Sequence, residues 1–123
     1  MKKLALICAI LLTSITLAAK TYVGNIGPYS IRMTITTFNC GYDRYGEYVC
    51  KVKGQYTYTK GKNTLRLSGI ASGSMGYRLE EFTPRGKNSG TFQLNENANG
   101  TLSGYFINNS NGNEYRVFLR PVR

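Results

Sequence analysis

Apolar and polar residues alternate along the chain from Thr21 onward, a pattern typical of β-strands that bury one face. The apolar positions are rich in Tyr, Val, Ile, Leu and Phe, and short clusters of Gly, Asn, Ser or Pro interrupt the alternation. The pattern requires no helix. It predicts eight strands, at Thr21 to Ile26, Tyr29 to Phe38, Tyr48 to Thr59, Thr64 to Ala71, Met75 to Thr83, Gly90 to Leu94, Thr101 to Ile107 and Asn113 to Arg120.

The connections between these strands are short, which predicts hairpins and a meander in which consecutive strands pair. Three turn signals, Gly61-Lys62, Asn111-Gly112 and Asn97 to Asn99, also predict the register of the strands that they join. The residues that these turns place opposite one another are Tyr58 and Leu65, Phe106 and Val117, and Leu94 and Leu102.

The hairpin that contains Cys40 and Cys50 needs one extra residue. If the two cysteines face each other in an unbroken ladder, the apolar residues of the second and third strands fall on opposite faces of the sheet. A β-bulge between Ile35 and Cys40, at Thr36-Thr37, returns them to one face. We therefore predict a bulge in that interval.

One face of the eight predicted strands is apolar, which favours closure into an up-and-down barrel because closure removes exposed strand edges. Gly54, Gly69 and Gly104 lie on that face, where strands of a small barrel bend sharply. A flattened β-sandwich with the same hairpins is the alternative. The predicted interior consists of Ile31, Met33, Ile35, Val52, Tyr56, Tyr58, Leu65, Leu67, Tyr77, Leu79, Phe92, Leu94, Leu102, Phe106, Tyr115, Val117 and Leu119.

The first 19 residues resemble a bacterial signal peptide. Two lysines precede an apolar run from Leu4 to Leu12, and small residues follow up to Ala19. We expect cleavage after Ala18 or Ala19, which leaves a single β-barrel domain at residues 20–123 with no integral membrane segment. The expected location is the periplasm or the outside of the cell.

Two cysteines, Cys40 and Cys50, remain after the predicted cleavage. An even number of cysteines in an oxidising compartment predicts a disulfide. Zinc binding would need about four ligands, and a redox pair would need C-x-x-C spacing. We therefore expect a structural disulfide, which contributes about 2.5 to 3 kcal/mol of stability in the chain-entropy account of an 11-residue ring.

The chain contains no histidine, which removes the commonest general base and metal ligand. Glu80 and Glu81 are adjacent on a strand and point to opposite faces, so they cannot act as an acid and base on one bond. We predict that the protein is not an enzyme and that it holds no metal and no cofactor.

Glu81 shares the inward face with Tyr77, so its carboxylate must be paired, protonated or placed at an open barrel mouth. A structural network with tyrosine hydroxyls or with an arginine is one interpretation. The other is an interior polar site for a small ligand, formed by Glu81 and Tyr77.

The disulfide loop is rich in tyrosine, with Tyr42, Tyr45 and Tyr48 beside Arg44. Aromatic side chains on a constrained loop provide rigid contact area for a partner. The alternative is that these tyrosines cover the barrel end as a plug.

The charge is strongly positive, with 16 Lys and Arg against 6 Asp and Glu. Removal of Lys2 and Lys3 leaves 14 basic and 6 acidic residues, a net charge of +8. Such a surface attracts anions, so an acidic protein or another anionic macromolecule of the cell envelope is the expected partner. We do not expect nucleic acid, because export separates the chain from it. We expect a monomer.

The segment Ala71-Ser72-Gly73-Ser74-Met75-Gly76-Tyr77 is similar to the Ser-containing loop of the periplasmic and membrane-bound inhibitors of c-type lysozyme. Members of that family are eight-stranded barrels that insert this loop into the lysozyme cleft. The resemblance covers seven residues and implies that Ser72 contacts a partner.

Together these features favour an exported binding protein of the inhibitor or immunity type, which engages another macromolecule through the loops at 41–49 and 71–76. A small-ligand carrier that uses the barrel interior is the alternative. A large internal cavity would favour the carrier, and a filled core with exposed tyrosines would favour the binding protein.

Overall fold

The computed structural model describes residues 18–122 and shows eight antiparallel strands closed into one barrel. Each strand pairs with the next, and β1 pairs with β8 from Tyr22 opposite Pro121 to Ile26 opposite Val117. The predicted all-β, eight-stranded barrel is confirmed, and the flattened sandwich is not formed. The strands are β1 Ala18–Ile26, β2 Tyr29–Tyr42, β3 Tyr48–Tyr58, β4 Thr64–Ser72, β5 Gly76–Phe82, β6 Asn88–Glu96, β7 Leu102–Asn108 and β8 Glu114–Pro121.

Apolar side chains fill the barrel interior. Leu79, Phe92 and Leu94 lie at its centre and have no solvent exposure. Every residue of the predicted interior is buried or packs against the buried core. The core also includes Tyr22 and Ile26 of β1, and Ala71 of β4 packs against it; the prediction did not contain these three residues.

Four glycines on the inward face allow neighbouring strands to approach closely. A Cβ atom on Gly24, Gly69 or Gly104 would lie 1.9 Å from a backbone oxygen of the adjacent strand, and one on Gly54 would lie 2.3 Å from such an oxygen. No side chain fits in these spaces. The structure therefore depends on glycine at these positions of close backbone approach.

The three predicted hairpin registers are wrong by two residues. Tyr56 rather than Tyr58 lies opposite Leu65, Tyr115 rather than Val117 lies opposite Phe106, and Gly104 rather than Leu102 lies opposite Leu94. The loops are longer than the predicted turns: the Asn111-Gly112 loop, for example, has a positive φ at Gly112 but not at Asn111. A shift of two residues preserves the inward face, which explains why the predicted interior survives.

The predicted bulge in β2 is present. Asn39 and Cys40 of β2 lie across from Cys50 alone, because the ladder shifts between Phe38 and Gly41. The bulge lies at Asn39-Cys40 rather than at Thr36-Thr37, since Asn39 takes the positive φ of 49° that this bulge requires. The Cys40–Cys50 disulfide is formed across it.

The predicted signal peptide lies mostly outside the described residues, because the description begins at Ala18. The two predicted cleavage positions, Ala18 and Ala19, are the first residues of β1. Between residues 18 and 122, no helix has the length and apolar character needed to cross a membrane.

Replacement of Gly69 by Ala should destabilise the barrel by about 1 to 3 kcal/mol, because the new methyl group would overlap the Arg78 carbonyl oxygen. Urea denaturation followed by tyrosine fluorescence measures this loss. Gly73→Ala is the matched control, since a Cβ at Gly73 has no heavy atom within 4 Å. Equal stability of the two variants would contradict the close-approach argument.

Candidate functional site

Three of the strand connections lie at one end of the barrel, here called the loop end. They are the disulfide loop at residues 43–47, the short loop at 73–75 and the loop at 97–101. Antiparallel pairing places these connections together, because β2, β4 and β6 all run toward the same end. The predicted binding residues of both loops therefore lie on one surface.

Asp43 holds the disulfide loop in a tight turn. Its Oδ1 atom accepts hydrogen bonds from the backbone amides of Tyr45 and Glu47, at 2.9 and 3.0 Å. Gly46 completes the turn with a φ of 81°, and its amide donates to the Asp43 carbonyl oxygen at 3.1 Å. Arg44 and Tyr45 lie at the tip of this turn, where both are exposed.

The tyrosines of the disulfide loop are exposed to solvent. Tyr42 is 76% exposed and Tyr45 is 84% exposed. The rings of Tyr42 and Tyr48 meet edge to face with centroids 5.2 Å apart, and the Arg44 guanidinium lies 5.7 Å from the centroid of the Tyr45 ring. Side chains this exposed do not form the plug that was the alternative interpretation of these tyrosines.

Glu47 joins the disulfide loop to the neighbouring loop. Its Oε1 atom accepts hydrogen bonds from the Ser74 amide at 3.0 Å and from the Ser74 hydroxyl. These bonds, with a smaller contribution from the Ser72 hydroxyl, lower the pKa of Glu47. Ser72 also accepts a hydrogen bond from the Met75 amide at 3.1 Å, so the predicted contact residue is part of the loop's own structure.

A cleft of about 430 Å³ opens at the mouth of the barrel beside these loops. Tyr48, Ser72, Tyr77 and Glu96 are among the residues that line it. Burial, followed by the nearby Tyr77 hydroxyl and Glu96 carboxylate, raises the pKa of Tyr22 to about 12. Burial and Glu96 also raise the pKa of Tyr77. The mouth thus carries two neutral phenols beside a carboxylate.

Glu81 lies toward the other end of the barrel and is 5% exposed. Its carboxylate accepts hydrogen bonds from the Tyr56 hydroxyl and, at 2.6 Å, from the Ser89 hydroxyl. Burial, then the bond to Glu81, raises the pKa of Tyr56. Glu81 and Tyr77 are four residues apart on one strand, about 13 Å, so the structure does not bring together the predicted interior site. A network with tyrosine hydroxyls, the other interpretation, is the arrangement observed.

Sequence reasoning missed Tyr22, Glu96 and the bridge between Glu47 and Ser74. The alternation in β1 and β6 contains the signal for the first two, because Tyr22 shares its face with Ile26 and Glu96 shares its face with Leu94. Glu47 and Ser74 are 27 residues apart and meet through a register that the local sequence does not specify.

Known proteins supply no assignment for this surface. Comparisons with protein-family models, curated proteins and solved structures found no match. In the part of the chain from Ala18 to Val122, no group of three or more Cys, Asp or Glu side chains is placed to hold a metal ion.

The stability of the barrel should fall above about pH 10, because the folded state keeps Tyr22 protonated up to about pH 12. The raised pKa contributes stability that is complete below the ordinary tyrosine value and is lost as the pH rises through 12. Tyr22→Phe should therefore reduce the drop in unfolding free energy between about pH 9 and pH 11 by about 1 kcal/mol. Tyr105→Phe, at an exposed tyrosine, should leave the drop unchanged; an identical pH profile for Tyr22→Phe would contradict the assignment.

Tyr56→Phe should destabilise the protein by about 1 to 3 kcal/mol, because it removes a hydrogen bond from a buried carboxylate. Tyr58→Phe is the control, since the Tyr58 hydroxyl is 3.5 Å from the Tyr56 hydroxyl and is half-buried. Thermal unfolding at neutral pH compares the two. A smaller loss for Tyr56→Phe than for Tyr58→Phe would show that the Glu81 network is not a stabilising element.

Proposed function

We propose that this protein is an exported, non-enzymatic binding protein that engages another macromolecule through the loop end of its barrel. The observation that carries the proposal is the exposed cluster of Tyr42, Tyr45 and Tyr48 beside an open cleft. Exposed aromatic residues around a cavity are the usual anchors of protein interfaces. The Cys40–Cys50 disulfide supports a location in an oxidising compartment, the periplasm or the outside of the cell.

Rigidity of the loop end supports the same proposal. The disulfide, the Asp43 turn and the bridge from Glu47 to Ser74 hold both loops before any partner arrives. A preorganised surface loses little conformational entropy on binding, so more of its contact energy appears as affinity. Inhibitors and immunity proteins depend on surfaces of this kind.

The small-ligand carrier has less support. The barrel interior is packed with buried Tyr, Phe and Leu side chains, and the Glu81 carboxylate is already engaged by Tyr56 and Ser89. A carrier needs interior space and a free polar group to orient its ligand. The cleft at the mouth opens to the outside beside the loops at 43–47 and 73–75.

The charged residues at the loop end change the kind of partner that we expect to bind there. Asp43, Glu47 and Glu96 lie there with Arg44 and Lys20, so acidic residues slightly outnumber basic ones in this set, in contrast to the basic chain as a whole. Ser72, the residue carried over from the resemblance to inhibitors of c-type lysozyme, borders the cleft. A basic partner such as a c-type lysozyme therefore fits the loop end, and we assign the expected attraction for anions to another face of the barrel.

The test is binding of the oxidised protein to c-type lysozyme and to a panel of envelope and secreted proteins, measured by interferometry. Tyr45→Ala should raise the dissociation constant by a factor equivalent to about 1 to 3 kcal/mol, mainly through faster dissociation. Tyr105→Ala, on the outer wall, is the matched control and should bind like the parent protein. If Tyr45→Ala binds every captured partner as tightly as the parent does, the loop end is not the interface.

A further inference from the structure

The outer wall formed by β2, β3 and β4 carries positive charge without any acidic residue. These three strands contain Arg32, Lys51, Lys53 and Arg66, and all four side chains are exposed. The acidic residues lie elsewhere, at the loop end, inside the barrel or on later strands. These four cations thus have no acidic neighbour within the three strands.

A groove of about 780 Å³ runs across this wall, and we call it the basic groove. Lys53 and Arg66 line it, and it extends to Gly86 in the loop after β5. The rest of its lining consists largely of short hydroxyl and amide side chains, which are Thr34, Thr36, Gln55 and Ser68. The groove therefore combines two cations with several neutral hydrogen-bonding groups.

The strand register sets the distance between Lys53 and Arg66. Lys53 lies opposite Ser68, and Gln55 lies opposite Arg66, so Lys53 and Arg66 are diagonal neighbours across the β3–β4 ladder. Such neighbours are about 7 to 8 Å apart at their backbones, and a hydroxyl and an amide side chain flank them. Lys53 lies over the Phe38 ring, with its Nζ atom 5.4 Å from the ring centroid, which holds the side chain against the wall.

Further cations continue the line of charge beyond the groove. Lys51 precedes Lys53 on the outward face of β3. At the other end, Arg85 and Lys87 flank Gly86, which lines the groove. A row of cations along a groove fits a linear polyanion better than it fits a single small ion.

We propose that the basic groove binds an anionic polysaccharide, a chain of sugar rings that bear carboxylate or sulfate groups. Lys53 and Arg66 pair with the acidic groups, and the hydroxyl and amide side chains between them bind the sugar hydroxyls. Phe82 is the single aromatic residue among those that line the groove. Single-stranded nucleic acid is a poorer fit, because its binding sites stack successive bases on several aromatic side chains.

This site is separate from the loop end and does not depend on the function proposed there. The groove lies on the outside of β2–β4, whereas the tyrosine cluster and the cleft lie at the barrel end. Occupation of the groove would hold the protein on a polyanionic surface while leaving its loops free. The two sites can therefore fail independently.

The experiment is calorimetric titration of the oxidised protein, at low ionic strength, with two probes, a heparin decasaccharide and an oligogalacturonate decasaccharide. The double variant Lys53→Gln/Arg66→Gln should raise the dissociation constant of the bound probe at least about tenfold. Arg116→Gln/Arg120→Gln is the matched control, because it removes the same charge from β8 and should change the constant less than about twofold. Ser68→Phe, which fills the groove without changing the charge, should also weaken binding.

The parent protein should bind at least one of the two acidic probes, and the one that binds identifies sulfate or carboxylate as the recognised group. Failure to bind either probe overturns the proposal, as does equal weakening by the two double variants, which would show attraction by net charge alone. The proposal is also overturned if a neutral dextran binds as tightly as the acidic probe. The same holds if an oligothymidylate binds as tightly and is weakened as much by Lys53→Gln/Arg66→Gln. Tyr45→Ala should bind the probes like the parent, and thermal unfolding confirms that each variant is folded.

Discussion

Close approach between neighbouring strands at Gly24, Gly54, Gly69 and Gly104 is the constraint on which this barrel depends. At each position the inward face has room for a hydrogen atom but not for a methyl group. Large residues lie across the ladder from these glycines, as Leu119 lies opposite Gly24 and Leu79 lies opposite Gly69. Close approach at the glycines lets eight strands enclose a space that those large residues fill, so closure and core packing have a common origin.

The closed barrel has three chemical environments that the amino-acid composition of the chain does not reveal. Its interior is mostly apolar, and the buried Glu81 carboxylate is satisfied by Tyr56 and Ser89. Its loop end combines exposed tyrosines with carboxylates, and its β2–β4 wall is basic. A net charge is therefore a poor guide to the partner of any one surface, since the balance of acidic and basic side chains differs between the loop end and the β2–β4 wall.

The interior residues could be predicted from the sequence because side chains along a strand alternate between its two faces. The predicted hairpin registers were wrong by two residues, which is one full period of this alternation. Such an error moves a residue such as Tyr58 along its neighbour without turning it to the other face. The bulge followed from the same counting, but its position depended on the positive φ of Asn39, which alternation does not encode. The bridge from Glu47 to Ser74 joins two loops through tertiary register, so no local pattern could indicate it.

Pairing of β1 with β8 has a consequence for how the chain folds. The other seven pairings join strands that are consecutive in sequence, whereas this one joins Tyr22 to Pro121. Local hairpins form quickly, but closing so long a loop carries a large entropy cost that only the completed core repays. We therefore expect the β1–β8 pairing to form after the local hairpins, and an unclosed chain exposes two unpaired strand edges until then.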